Sequence, residues 1–291
     1  MKTAELAEWD TVEKRIENIS ELPTLPFIYS KLSNVLSDEC SSAKDVGEIV
    51  AEEQALAGKM LRIVNSAFYG FPKKISSVSQ SVTIIGYNAL KNMVLATSVI
   101  DLLKNGENNE FDMTEFWKHS LRCAVGAKSI GKAIRYPNVE ELFVAGLLHD
   151  IGKFVANQFF SEEFSSALKF GQEKHIPLHR AENEVLGYDH SIIGYYLLKQ
   201  WKLAPMILNV AKMHHTTKKT GDHFMEVSII HIANTLARAI SVIENGEEPV
   251  YRASDEAWQQ LNLPYSYLNH LMSTTISESD ELFTMFLPNE Q

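Results

Sequence analysis

The 291-residue sequence predicts an all-α protein, and three observations carry that prediction. Apolar residues recur at three- and four-residue spacing along most of the chain. Runs that alternate apolar and polar residues, the mark of half-buried strands, are scarce. Helix-stopping residues fall at the ends of the periodic stretches. Taken in order, Leu25, Ile28, Leu32 and Leu36 mark a first helix, and Ile49, Leu56, Met60, Ile63 and Val64 mark a second. The most apolar stretch, residues 82–103, is interrupted by Asn88, Lys91, Asn92 and Asp101. It reads as a buried helix pair rather than a membrane span. Leu142, Ala145, Gly146, Leu148 and His149 share one face of a further helix, and Ile229, Ile232, Ala233 and Leu236 do so in a late one. Pro137-Asn138, Gly187-Tyr188-Asp189 and Pro205 supply stops between them.

A polar run at 104–110 contains no apolar residue and divides the chain into an N-terminal helical half, 1–108, and a C-terminal helical half, 109–291. Shorter polar loops at 216–223 and 244–249 interrupt the second half, and no internal repeat stands out. With 45% apolar residues the chain has ample material for a core. Its formal charge of −10 repels phosphate backbones, which argues against general nucleic-acid binding. An anionic small substrate would need a local positive centre, such as a metal. Cys40 and Cys123 lie far apart without a CxxC spacing, so neither a disulfide framework nor a thiolate zinc site is expected. Residues 1–10 lack the uninterrupted apolar segment of a signal peptide. The expectation is a cytoplasmic protein without a membrane anchor.

Ten histidines are present, and five suggest shared chemistry. The strongest local signal is Gly146-Leu-Leu-His149-Asp150-Ile-Gly-Lys153. Adjacent His and Asp side chains on a helix point about 100° apart. Both can reach one metal, or the carboxylate can bridge two. Imidazole nitrogen with carboxylate oxygen suits divalent zinc, iron or manganese. Lys153 lies one turn beyond His149, placed to meet a phosphate oxygen. The bland alternative is a core histidine satisfied by a hydrogen bond. His119 follows Glu115 by four residues, His190 follows Asp189 at a helix start, and His214-His215 closes a helix that opens near Pro205. Each has a structural explanation of its own. Glu115 with Asp112 can form an N-terminal cap, Asp189 can cap the helix of His190, and a His pair suits a helix C-terminus. An ordered series of His, His-Asp, His and His-His on successive helices is harder to explain that way. His175, His179, His223, His231 and His270 fall outside the series and read as surface or structural residues.

That series resembles the HD superfamily of metal-dependent phosphohydrolases, and its ligand order is similar to that of the HD-GYP cyclic-di-GMP phosphodiesterases. The N-terminal half narrows the resemblance. Leu22-Pro-Thr-Leu-Pro26, the run from Ile49 through Asn65-Ser66, and Ile75-Ser-Ser-Val-Ser-Gln-Ser-Val-Thr-Ile-Ile-Gly86 resemble the HDOD family, from about Glu21 to Leu236. The resemblance implies an HD-like metal-binding half packed against an N-terminal helical half. It implies a centre of two divalent ions of the Fe, Mn, Zn or Ni class, held by His149, Asp150, His190, His214 and His215 with Asp150 bridging. His119 and Glu115 match positions that complete a third ion site in some members, and Lys153 matches a lysine that contacts the scissile phosphate. One departure stands out. The position that normally supplies a last aspartate ligand is Asn234, whose amide oxygen can coordinate but brings no charge. No GYP-type motif follows the His-Asp pair.

These features imply three functions. One is a metal-dependent phosphohydrolase, with Asp150 and Lys153 as its catalytic groups, acting on a phosphorylated small molecule or a cyclic dinucleotide. Another is a regulatory module with a structural or vestigial metal that docks a signalling protein in trans, since no receiver-like domain is attached. Metal sensing, in which ligation orders the two halves, is the third. Lys153 and the His pair favour the enzyme, and Asn234 favours the regulator.

Overall fold

A computed structural model describes residues 12–19, 22–36, 41–104, 111–216, 222–246 and 252–287. The described residues are predominantly helical, with no strand among them. The halves' boundary at 108/109, residues 1–10, Cys40, and parts of the polar loops at 216–223 and 244–249 lie outside them.

Residues 12–17 are helical. The N-terminal half then runs through α1 (Phe27–Leu36), α2 (Ala43–Ala51), α3 (Gln54–Val64), α4 (Val78–Ile85) and α5 (Tyr87–Leu103). The apolar set from Ile49 to Val64 is therefore not one helix. The chain breaks at Glu52-Glu53, so Ile49 belongs to α2, while Leu56, Met60, Ile63 and Val64 line the buried face of α3. Periodicity alone misses such a break, because both helices bury that side. The stretch at 82–103 is indeed two helices, parted at Gly86, whose φ of 84° suits glycine. Side-chain caps fix the starts: Ser42 begins α2 with a capping box, and Ser77 accepts from the Gln80 N–H at α4.

The second part comprises α6 (Met113–Ala133), α7 (Val139–Leu148), α8 (Ile151–Phe159), α9 (Ser161–Lys174), α10 (Leu178–Leu186), α11 (His190–Gln200), α12 (Pro205–Met213), α13 (Phe224–Asn245), α14 (Asp255–Leu261) and α15 (Leu268–Phe286). The expected stops act as read. Gly187 ends α10 at φ 82°, Asp189 caps α11, and Pro205 opens α12 at its first turn. Helix α6 is the hub. It is buried on most sides and packs against α7, α13 and α15. Helix α13 is long and apolar enough to cross a membrane by length and hydropathy, but it packs on α6, α7 and α14. Helix α15 runs back to touch α3 and α5, and α7 touches α5. One hydrophobic cluster, from Val12 to Leu287, extends across the line between the halves.

Glycine sets the closest approaches near the His-Asp pair. A Cβ on Gly146 of α7 would lie 2.8 Å from Ala124 Cα on α6, and one on Gly152 of α8 would lie 1.9 Å from the His190 carbonyl oxygen. Only hydrogen at these positions lets α7 seat on α6 and α8 on α11.

Candidate metal centre

The chain bends at the His-Asp pair. Leu148 ends α7, His149 is its C-terminal cap, and Asp150, at φ −101° and ψ 9°, precedes α8. The pair thus spans a break instead of lying within one helix, and the 100° separation of a continuous helix does not apply. The break aims both side chains into the space between α6, α11 and the end of α12. His119 arrives from α6, His190 from the first residue of α11, and His214 and His215 from the turn after α12. His149, Asp150, His190 and His214 are all 0% exposed.

Asp150 is the centre of the group. Its Oδ2 lies 3.4 Å from His119 Nε2 and 3.3 Å from His149 Nε2. Its Oδ1 lies 3.1 Å from His190 Nε2 and 3.3 Å from His214 Nε2. His215 Nε2 faces His190 Nε2 at 2.9 Å. Two sets of potential ligands therefore share one carboxylate: His119, His149 and Asp150 on one side, and Asp150, His190, His214 and His215 on the other.

Backbone and side-chain acceptors fix the rings. His149 Nδ1 donates to the Gly146 carbonyl at 2.7 Å, and His214 Nδ1 to the Ala211 carbonyl at 2.8 Å. His190 Nδ1 donates to Glu182 Oε2 at 2.5 Å. Carbonyl and carboxylate oxygens only accept, so each Nδ1 carries the proton and each Nε2 is presented toward Asp150. This second layer is the usual means of orienting metal-binding imidazoles.

The buried atoms His119 Nε2, His149 Nε2, Asp150 Oδ1 and His214 Nε2 lack a hydrogen-bond partner. Orphaned buried polar atoms are costly, and three imidazole nitrogens meeting one carboxylate, with one of its own oxygens also unpaired, fit a cation site. Nitrogen and oxygen donors without thiolate suit borderline divalent metals.

Electrostatics divides the rings. Burial drives His119 down to about 3 and His214 to about 4, and it holds His215 well below its ordinary value. Burial also opposes charge on His149 and His190. For His149 the neighbouring Asp150 outweighs it and lifts the pKa to about 10. For His190 the carboxylates of Glu182 and Asp150 lift it to about 9. Burial would raise Asp150, but His149 and Lys153 hold it well below the usual carboxylate range.

Not every expected residue joins the group. Lys153 does not stand free for a phosphate. Its Nζ donates to Asp150 Oδ2 at 2.5 Å, since Lys153 lies three residues on, one turn into α8. Glu115 pairs with Lys118 at 2.8 Å and is 38% exposed, while His119, one turn on, reaches Asp150. Asn234 is buried on α13, with its Oδ1 accepting from Arg238 Nε at 3.3 Å.

Two residues near the group were not foreseen. Glu182 on α10 grips His190, and His179, one turn before it, stacks on the His215 ring at 4.0 Å and 15°. Glu182 sits beside Ala181 on the buried face of α10, where a lone carboxylate needs a partner. His231 is held by hydrogen bonds at both ring nitrogens. Its Nδ1 donates to the His214 carbonyl and its Nε2 accepts from the Ser254 N–H.

Comparison with known proteins identifies the family. The HDOD domain profile matches residues 22–217. An uncharacterized protein of Treponema pallidum is 22% identical over 235 residues, covering 80% of this chain and 44% of its own. The chain thus spans less than half the length of that curated relative. Among solved structures, an HDOD domain protein of unknown function from Geobacter sulfurreducens superposes with a TM-score of 0.70 at 24% identity, covering 97% of this chain and 94% of that one. A Shewanella amazonensis protein, provisionally described as a phosphohydrolase, superposes with a TM-score of 0.74 at 22% identity, covering 94% and 97%. At such identities the superpositions speak for the fold. The profile match over about two thirds of the length, with the all-α architecture, establishes that this chain belongs to the HDOD domain family.

Proposed function

We propose that the chain binds divalent transition-metal ions around Asp150 and hydrolyses a phosphoester, in a phosphorylated small molecule or a cyclic nucleotide. The observation that carries this reading is the set of partnerless buried atoms converging on one carboxylate. His119, His149, His190, His214 and His215 are the imidazole ligands, Asp150 is the bridge, and the Asn234 amide is a weaker, uncharged candidate. Bound there, a pair of divalent ions would lower the pKa of a water toward neutrality and offset charge on a phosphoryl group.

The chain's own residues supply the rest. His119 and Lys153 keep 15% and 12% of their side chains exposed, and His215 is only partly buried, so a substrate would approach along this side. Lys153, already a cation against Asp150, can turn its ammonium to a phosphate oxygen when one arrives. The Shewanella neighbour's provisional description agrees with this chemistry.

The test joins elemental analysis of purified protein to a screen against cyclic dinucleotides, nucleotides and simple phosphoesters. Wild type should carry transition metal and cleave one of these classes. The double variant His149→Ala/Asp150→Ala should do neither. Equal metal in variant and wild type rejects the assignment.

One observation favours a second reading, a regulatory module with a structural metal that docks a signalling protein in trans. Four of the ligand side chains are wholly buried, as in closed structural sites. Metal-loaded protein that cleaves no phosphoester, yet loses stability when chelated, would select it.

A further inference from the structure

The two sides of Asp150 differ, and the difference lies in residues outside the ligand set. Oδ2, which faces His119 and His149, accepts a hydrogen bond from Lys153 Nζ at 2.5 Å. Oδ1, which faces His190 and His214, accepts none. Behind the Oδ1 side stands a second buried carboxylate. Glu182, 1% exposed on α10, accepts through one oxygen from both the ring Nδ1 of His190 at 2.5 Å and its backbone N–H at 3.1 Å. The Nδ1 atoms of His149 and His214 donate to neutral carbonyls instead. Helix α10 adds His179, stacked on His215, and Asn183, whose amide donates to Asp189 at the start of α11. Its three contacts all serve the side of His190 and His215.

Two elementary effects then act in the same direction. A carboxylate behind an imidazole fixes the ring and raises its basicity as a donor. An ammonium on a carboxylate oxygen competes with a metal for that oxygen and repels a second cation nearby.

Resting on the metal-centre reading above, we propose that the two ion positions are unequal. The position formed by Asp150 Oδ1, His190, His214 and His215 fills first and binds tightly, with Glu182 as its positioning residue. The position formed by Asp150 Oδ2, His119 and His149 fills second, and only as Lys153 is displaced.

The experiment is equilibrium dialysis of the chelated full chain against graded Mn(II), with bound metal counted by mass spectrometry and the metal-free fold followed by circular dichroism. Wild type should show two classes of ion, the first at least about tenfold tighter. Glu182→Gln keeps the shape and removes the charge. It should weaken the first class by about 10- to 100-fold, the usual effect of losing such a partner, and leave the second class unchanged. Glu182→Asp should recover part of that loss. Lys153→Met should tighten the second class and narrow the gap. A purely structural Glu182 would instead lower the melting temperature of the metal-free protein and shift both classes together. A single class of two equal ions in wild type overturns the proposal, as does an equal effect of Glu182→Gln on both classes. Should Glu182→Gln fail to fold, an unchanged gap in Lys153→Met overturns it. Wild type that binds no Mn(II) removes the metal-centre reading itself, a result distinct from equal sites.

Discussion

Replacing Gly152 with alanine puts a methyl group 1.9 Å from the His190 carbonyl oxygen and 2.6 Å from the Gly194 amide nitrogen. Both obstacles are backbone of α11, so no side chain can swing away. Ordinary contact begins near 3.4 Å, and α8 and α11 must therefore separate by about 1.5 Å. Overpacking of this kind costs roughly 1–3 kcal/mol, and a backbone obstacle belongs at the upper end. The helix preference of alanine returns up to about 1 kcal/mol. A net loss near 2 kcal/mol follows. The effect on the metal centre is larger in proportion. His190 rides on α11 and Asp150 leads into α8, while metal–ligand distances tolerate only about 0.2 Å. Gly152→Ala should therefore lose most of its metal even where it remains folded. Urea denaturation of chelated protein measures the first effect, and metal content after dialysis measures the second. Gly58→Ala is the control, since nothing lies within 4 Å of a Cβ there, and it should be neutral or stabilising. A Gly152→Ala protein within about 0.5 kcal/mol of wild type, with full metal, would refute the close-approach argument.

Three further outcomes are expected. Chelated protein should lose stability steeply as pH falls from 6.5 toward 4. Burial keeps His119, His179, His214 and His215 neutral in the fold, while the unfolded chain gains a proton at each near 6.5. Each such group withdraws up to about 1.4 kcal/mol per pH unit below 6.5, while the stability from His149 and His190, whose pKa values are raised, is complete below 6.5 and drains away as pH rises from there to about 9 to 10. Urea midpoints that stay flat between pH 7 and 5 would contradict this. Asn234→Asp should raise metal affinity by less than about tenfold on its own, because Arg238 is placed to take the new carboxylate, and by more when combined with Arg238→Gln. Equal Mn(II) affinities in the single and double variants would show that Arg238 does not compete. Glu140→Ala strands the ammonium of Lys128, 3% exposed and also lying over the Phe68 ring at 4.0 Å. It should cost about 3 kcal/mol in urea denaturation, whereas Lys128→Met should cost clearly less. Equal losses would mean that the pair, not the orphaned charge, sets the energy.

Many helices were legible because a core of this size imposes an apolar face on them, and because Asp189, Gly187 and Pro205 mark ends by local chemistry alone, whereas α6, buried on most sides, offers no single such face. The His series was legible as an ordered set, and the fold brings His119, His149, His190, His214 and His215 onto Asp150. What escaped depends on geometry between segments. The break at Asp150 is hidden by the apolar run before it, and the Lys153 ammonium, three residues on, meets the Asp150 carboxylate first. Glu182 sits eight residues before His190 across a turn, a spacing with no fixed distance until the angle between α10 and α11 is known.

Helix α15 has a consequence for how the protein is made. Leu271, Leu282 and Phe286 are buried, and Glu281 Oε1 accepts from the Ala67 N–H on the far side of the chain. Every imidazole of the cluster lies earlier in the chain than this helix and leaves the ribosome before it. A nascent chain can thus present its histidines while the N-terminal helices still lack their cover, and chaperone contact is expected in that interval.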